Sequence, residues 1–201
     1  MSNIKVLIVE DEPMIAADIY MILDGIDYEV AGVAHDSDTA IKFLQERHPD
    51  IVLLDISIEG EKDGIELAHI INSKYHIPFI YLTSYSDKET LDRAKTTLPY
   101  GYIVKPFKEK DLFSSIEVAI YRHANNSQKS MPSLLAINQS MVNDLTEKEY
   151  EVLGLICEGM TNRQIAERLF ISINTVKTHI KSILLKLDVP NRSSAIALVK
   201  K

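Results

Sequence analysis

The acid pair Glu10 and Asp11, then Asp55, Thr83 and Lys105 with Pro106 behind it, are side chains that together could carry phosphoryl chemistry. Each closes a short apolar run: VLIV before Glu10, IVLL before Asp55, FIYL before Thr83 and GYIV before Lys105. Three carboxylates gathered in one place repel by a few kcal/mol per close pair at an effective dielectric of about 20, so such a set calls for a cation. No His or Cys stands among these acids, and an all-oxygen set suits a hard ion that keeps several of its waters, which points to Mg²⁺. With the charge neutralised, Asp55 can act as nucleophile toward a phosphoryl group. Lys105 can then pair with one phosphoryl oxygen and the Thr83 hydroxyl can donate to another. By themselves Glu10 and Asp11 fit acids that start a helix. The repetition of reactive residues at successive strand ends favours the site, because clustered charges need a reason.

Positioning these residues requires strands whose carboxyl ends lie side by side. Residues 1–124 alternate apolar runs with amphipathic stretches, the pattern of a parallel α/β sheet. Strands are predicted at Ile4 to Val9, Glu29 to Ala34, Ile51 to Asp55, Pro78 to Leu82 and Gly101 to Val104. In an open sheet of this kind ligands gather at the carboxyl ends of the strands. Ile15, Ile19, Ile22 and Leu23 share one helical face, as do Ile41 and Leu44. Ser86 with Glu89 predicts a capping box, and a last helix is predicted from about Glu109 to His123.

The net charge of -7 in 201 residues hides two halves of opposite sign. Residues 1–124 hold 12 basic and 22 acidic side chains, whereas residues 145–201 hold 9 and 6. An acidic part that can hold a cation is joined to a mildly basic part that can approach phosphates. No run approaches the roughly 20 apolar residues of a membrane span, and the start MSNIKVLIVEDE turns acidic where a secretion signal would be apolar. A cytoplasmic protein without membrane association is expected. The single cysteine, Cys157, has no Cys or His at ligand spacing and is expected to be a buried apolar side chain.

Residues 124–144, rich in Asn, Ser and Gln with one Pro, break the alternation and read as a linker. From Leu145 the periodicity is helical throughout, so residues 145–201 are expected to form an all-α domain. Thr146 with Glu149, and Thr161 with Gln164, predict two capping boxes. The segment TNRQIAERLFISINTVKTHIKSILLKL has the pattern of two helices around a turn at Phe170 to Ser172, a helix-turn-helix. From Ser172 to Leu187 it carries Lys177, Lys181 and Lys186 and no acid. A merely solvated face mixes both signs. Ser172, Asn174 and Thr175 open this helix, where hydroxyls, amides and free N–H groups can hold DNA phosphates.

VLIVEDE, IVLLD, DGIELA, FIYLTS and GYIVKPF, in this order, resemble the receiver domain of response regulators over residues 4 to about 122. The last fifty-odd residues, from LTEKEYEVL onward, are similar to the LuxR-type helix-turn-helix of the NarL/FixJ response regulators. The resemblance implies a five-stranded parallel (βα)5 flavodoxin-like receiver over residues 1–123, a linker over 124–144 and a four-helix DNA-binding domain over 145–201. It implies that Asp55 is the phosphoacceptor of a sensor histidine kinase, and that Mg²⁺ is held by Asp11, Asp55 and the backbone carbonyl of Ser57, with Glu10 acting through water. It further implies a cis Lys105–Pro106 bond and a switch in which Thr83 moves toward the phosphoryl group while Tyr102 turns inward. On double-stranded DNA, Lys177, Thr178 and Lys181 would read bases, Asn174 and Thr175 would touch the backbone, and the helix from Asn191 would pair two copies as a homodimer.

Three features depart from the family pattern. Glu10 stands where a second Asp is usual, the loop DISIEGEKDG is one residue longer and lacks a proline, and LPYGY replaces a small-residue turn. The expected function is a phosphorylation-controlled transcriptional regulator of a two-component system rather than an enzyme. The alternative is a DNA-binding regulator with a silent or protein-docking receiver. A phosphatase of the haloacid dehalogenase type also uses a strand-end Asp with Mg²⁺, but its D-x-D signature fails because position 57 is Ser.

Overall fold

Uninterrupted runs of Val, Ile and Leu can be strands only where both faces are covered. Val6 to Val9 and Ile51 to Leu54 have no exposed surface at all. The structure, a computed structural model, describes residues 3–24, 28–84, 88–126, 131–139 and 143–200. The chain divides into two compact units, one of Lys5–Ala119 and one built chiefly from Ile120–Lys201.

In the first unit the strands are β1 (Ile4–Val9), β2 (Tyr28–Ala34), β3 (Ile51–Asp55), β4 (Phe79–Thr83) and β5 (Gly101–Val104). They form one parallel sheet in the order β2-β1-β3-β4-β5. Around it run α1 (Pro13–Asp24), α2 (Ser37–Arg47), α3 (Gly64–Ile70), α4 (Lys88–Lys95) and α5 (Glu109–Asn125), with α3 continuing into a wider π-helical turn over Ile71–Tyr75. The predicted strands hold to within one residue at each end. The capping box expected at Ser86 lies outside the described residues.

The register decides the site. Val9 lies opposite Leu54, Asp55 opposite Leu82, and Thr83 opposite Val104. The residues that follow β1, β3, β4 and β5 therefore emerge in one row. Asp36 caps α2 by accepting from the Thr39 N–H at 2.8 Å, and Asp63 caps α3 in a full capping box with Glu66.

In the second unit α6 (Leu134–Asn138), α7 (Glu147–Cys157), α8 (Asn162–Leu169), α9 (Ile173–Leu187) and α10 (Arg192–Val199) surround one apolar core. Capping boxes at Thr146 with Glu149 and at Thr161 with Gln164 start α7 and α8 as the sequence predicts. Part of the stretch read as a linker is folded. Ala124 near the end of α5 and Ile137 in α6 are buried in the core of this unit, because LLAI places an apolar face beside a helix cap at Ser133. Cys157 is a buried free thiol, and burial pushes its pKa up to about 11. Among the described residues no helix is long and apolar enough to cross a membrane.

Candidate functional site

Because β1 and β3 are neighbours, Glu10, Asp11 and Asp55 converge, each with a carboxylate oxygen within 4.8 Å of the others. Glu10 has no exposed surface and Asp55 is 6% exposed. Lys105, carried in by β5, closes the set. Its Nζ donates to Glu10 Oε1 at 2.7 Å and to Asp55 Oδ2 at 2.5 Å. Glu10 Oε2 is likewise 2.7 Å from Nζ, so the one ammonium faces both oxygens of Glu10 as well as Asp55.

One ammonium cannot neutralise two buried carboxylates. Burial, with Asp55 beside it, pushes the Glu10 carboxyl up to about 7 in spite of its bonds to Lys105. Burial opposes the charge of Lys105, yet the hydrogen bonds to Asp55 and Glu10 outweigh it and raise its pKa. The Lys105–Pro106 bond is cis.

The backbone completes the pocket. The Ser57 N–H donates to Asp55 Oδ1 at 2.8 Å, while the Ser57 side chain is exposed. Thr83 is buried at the end of β4. Tyr102 on β5 is 38% exposed, its ring 5.6 Å from that of Tyr81. Beside Lys105 opens a cleft of about 810 Å³ with Ile15, Met21 and Ile22 of α1 on one side and Pro106 and Phe107 on the other.

Two further residues support the pocket without having been singled out in the sequence. His35 Nδ1 lies 2.7 Å from the Glu10 carbonyl and ties the end of β2 to the end of β1. Gly64 lets the start of α3 press on β3, since a Cβ there would stand 1.9 Å from the Asp55 carbonyl oxygen. The Asp63-Gly64 pair was legible as part of DGIELA, but the contact that demands glycine was not.

A second candidate surface lies on α9. Asn174, Thr175, Thr178 and Lys181 are exposed and Lys177 is half-buried. Positions 174, 177, 178 and 181 repeat at the i, i+3, i+4, i+7 spacing that keeps them on one helical face. Ser172 caps the helix by accepting from the Thr175 N–H at 3.1 Å, and the two hydroxyls lie 2.8 Å apart. Lys186, counted with the basic face in the sequence, is not part of it. Its Nζ donates to Glu149 Oε2 at 2.7 Å and to the Asp144 carbonyl at 2.8 Å, which commits it to the fold.

Comparison with known proteins covers both units. Residues 6–117 match the family described as response regulator receiver domain, and residues 143–199 match the bacterial regulatory proteins of the luxR family. The chain is 35% identical over 200 residues to the transcriptional regulatory protein LiaR of Bacillus subtilis, covering 96% of this chain and 94% of that protein. It is 31% identical over 198 residues to the transcriptional regulatory protein DesR of the same organism, covering 98% and 96%. Among solved structures, RcsB from Salmonella enterica serovar Typhimurium bound to promoter rprA in the presence of the phosphomimetic BeF3⁻ matches with a TM-score of 0.50 at 26% identity, covering 98% of this chain and 99% of that one.

Proposed function

Because this chain belongs to the two-component response regulators that join a receiver domain to a LuxR-type DNA-binding domain, we propose that Asp55 is the residue through which phosphorylation controls its binding to DNA. The observation that carries this reading is the convergence of Glu10, Asp11 and Asp55 around Lys105 at the ends of neighbouring strands.

In the proposed reaction the phosphorus–nitrogen bond of a kinase phosphohistidine breaks as a phosphorus–oxygen bond to the Asp55 carboxylate forms. The departing imidazole takes up a proton. Lys105 compensates charge on Asp55 and can follow it to a phosphoryl oxygen, while the Thr83 hydroxyl donates to another. The cleft beside Lys105, whose apolar lining from α1 and Phe107 is interrupted by Asp18 and Glu109, offers the donor protein a surface next to the reacting carboxylate.

The donor set fits Mg²⁺: it is all oxygen, and its two buried carboxylates share a single ammonium. Glu10, Asp11, Asp55 and the Ser57 carbonyl would hold the ion, which neutralises the carboxylate and phosphoryl oxygens when bound. Tyr102, half-exposed beside Tyr81, is the proposed switch residue that turns inward with Thr83.

In the DNA-binding part, Lys177, Thr178 and Lys181 read base edges and Asn174 and Thr175 hold phosphates, with the helix N-terminus adding its N–H groups. Residues 1–123 act as the receiver and 145–201 as the DNA-binding domain, with 124–144 joining them. Two copies pair through α10 on two half-sites. The regulator works in the cytoplasm and has no catalytic turnover of its own beyond its phosphorylation.

The test is intact-protein mass after incubation with acetyl phosphate, with and without Mg²⁺, for the wild type and Asp55→Ala. One phosphoryl group that requires Mg²⁺ and is absent from Asp55→Ala is the expected result. No adduct in the wild type would leave a DNA-binding protein with a silent receiver.

A further inference from the structure

The loop joining β3 to α3, residues 56–63, reaches further across the first unit than its two ends require. Glu59 pairs with Asp36 in an isolated parallel bridge. Asp36 follows β2, Glu59 follows β3, and β1 lies between those strands in the sheet. A chain that leaves Asp55 and pairs beside Asp36 must therefore cross the carboxyl end of β1, where Glu10 and Asp11 lie. A residue paired with Asp36 lies about 5 Å from it, in the lane that β1 would fill if it ran on, so after a turn at Ile56 and Ser57 the loop places Glu59 beyond the end of that strand.

The crossing is fastened along its length. Ile56 and Ile58 are 3% and 6% exposed and belong to the main apolar cluster of this unit. At Gly60 the backbone takes φ +131, a conformation that only glycine adopts readily, and a Cβ there would lie 3.4 Å from Ser37 Oγ. Ser37 is 1% exposed and seats the loop where it turns back. The return arm ends on Asp63, which caps α3 and pairs with Arg93 of α4 at 2.6 Å.

We infer that residues 56–60 form a strap over the acid pocket that keeps water from the phosphorylated Asp55 and so sets how long the phosphoryl group survives. This rests on the reading of Asp55 as the phosphoacceptor. In the hydrolysis that the strap slows, a water oxygen bonds to phosphorus, the phosphorus–oxygen bond to Asp55 breaks, and inorganic phosphate leaves with a proton as the carboxylate is regenerated. Glu59 lies in the lane of β1 beyond Glu10, and Glu10 has no exposed surface.

The full-length chain is loaded with acetyl phosphate and Mg²⁺, freed of donor by desalting and followed by intact mass. Two variants lift the strap by different means. Gly60→Val forces a β-branched residue into φ +131 above Ser37, and deletion of the exposed Glu61 shortens the return arm. Urea midpoints recorded alongside identify any variant that has lost its fold. The expected result is a half-life at least about threefold shorter in both variants than in the wild type, a barrier change well within reach of one added water path. Half-lives equal to that of the wild type in a folded variant overturn the strap while leaving Asp55 as phosphoacceptor intact. A wild type that takes up no phosphoryl group overturns the reading of Asp55 itself, and the strap with it.

Discussion

Glu10 in the first unit and Glu149 in the second are both buried glutamates with a lysine nitrogen 2.7 Å away, yet they are driven in opposite directions. Glu10 is pushed up to about 7 by burial and by Asp55 next to it. Burial also works against the Glu149 charge, but bonds from Lys186, Ser182 and Thr146 outweigh it and bring its pKa down to about 2. The difference lies in how many donors each carboxylate has to itself. Glu149 receives Ser182 Oγ at 2.6 Å, Lys186 Nζ at 2.7 Å, and the Thr146 N–H and hydroxyl at 2.8 and 3.0 Å. Glu10 receives Lys105, which it shares with Asp55. A buried acid whose lone pairs are filled from its own fold is structural. One left short of donors is open to an incoming cation.

The largest effect should come from the satisfied acid. Glu149→Gln removes the charge that Lys186 faces and turns one acceptor oxygen into an NH2 donor among four converging donors, and is expected to cost about 2–3 kcal/mol of stability, read as a lower urea midpoint. The same network gives a pH signature. A carboxyl that titrates near 4.5 when unfolded and about 2 when folded stabilises the protein above about 4.5. That contribution is lost as pH falls from about 4.5 toward 2, and the difference in stability between wild type and Glu149→Gln should shrink over the same window. A difference that stays constant down to acid pH would remove Glu149 from its structural role.

Next comes the exposed counterpart on α9. Lys181→Ala is expected to weaken operator binding by about 1–3 kcal/mol in a fluorescence-anisotropy titration while leaving the urea midpoint unchanged. Lys186→Ala should do the reverse, lowering stability without relaxing sequence preference. Equal effects of the two on both readouts would erase the distinction drawn between them.

Glu10→Gln should slow Mg²⁺-dependent labelling by about tenfold relative to the wild type, equivalent to about 1.4 kcal/mol, with stability in the absence of Mg²⁺ unchanged or raised. A stability loss as large as that of Glu149→Gln would show that Glu10 is satisfied after all. The smallest effect is expected at Phe170, 95% exposed and held at φ 55 as the C-cap of α8. Phe170→Asn should raise stability by about 0.5–1 kcal/mol, because Asn tolerates the left-handed conformation better.

Much of this was legible in the amino-acid order. Apolar runs of strand length, hydroxyls three residues before Glu or Gln, and a 3.6-residue period after Leu145 are local signals, and local signals fix where elements begin and which face each one buries. The reactive residues were legible for the same reason, since each stands at the end of such a run. Which groups they meet was not. Lys177, Lys181 and Lys186 look alike on a helical wheel, and only the packing of α7 against α9 takes Lys186 away to Glu149. Gly64 and Gly60 read as ordinary loop glycines until α3 closes on the Asp55 carbonyl and the loop turns over Ser37. The meeting of Glu10, Asp55 and Lys105, 95 residues apart at its widest, depends on the strand order β2-β1-β3-β4-β5. The sequence by itself determined the elements, their faces and the chemical inventory, because these follow from the period of neighbouring residues. Tertiary structure decided which charges share a donor and which have their own, because burial and partnership are set by contacts between residues far apart in the chain.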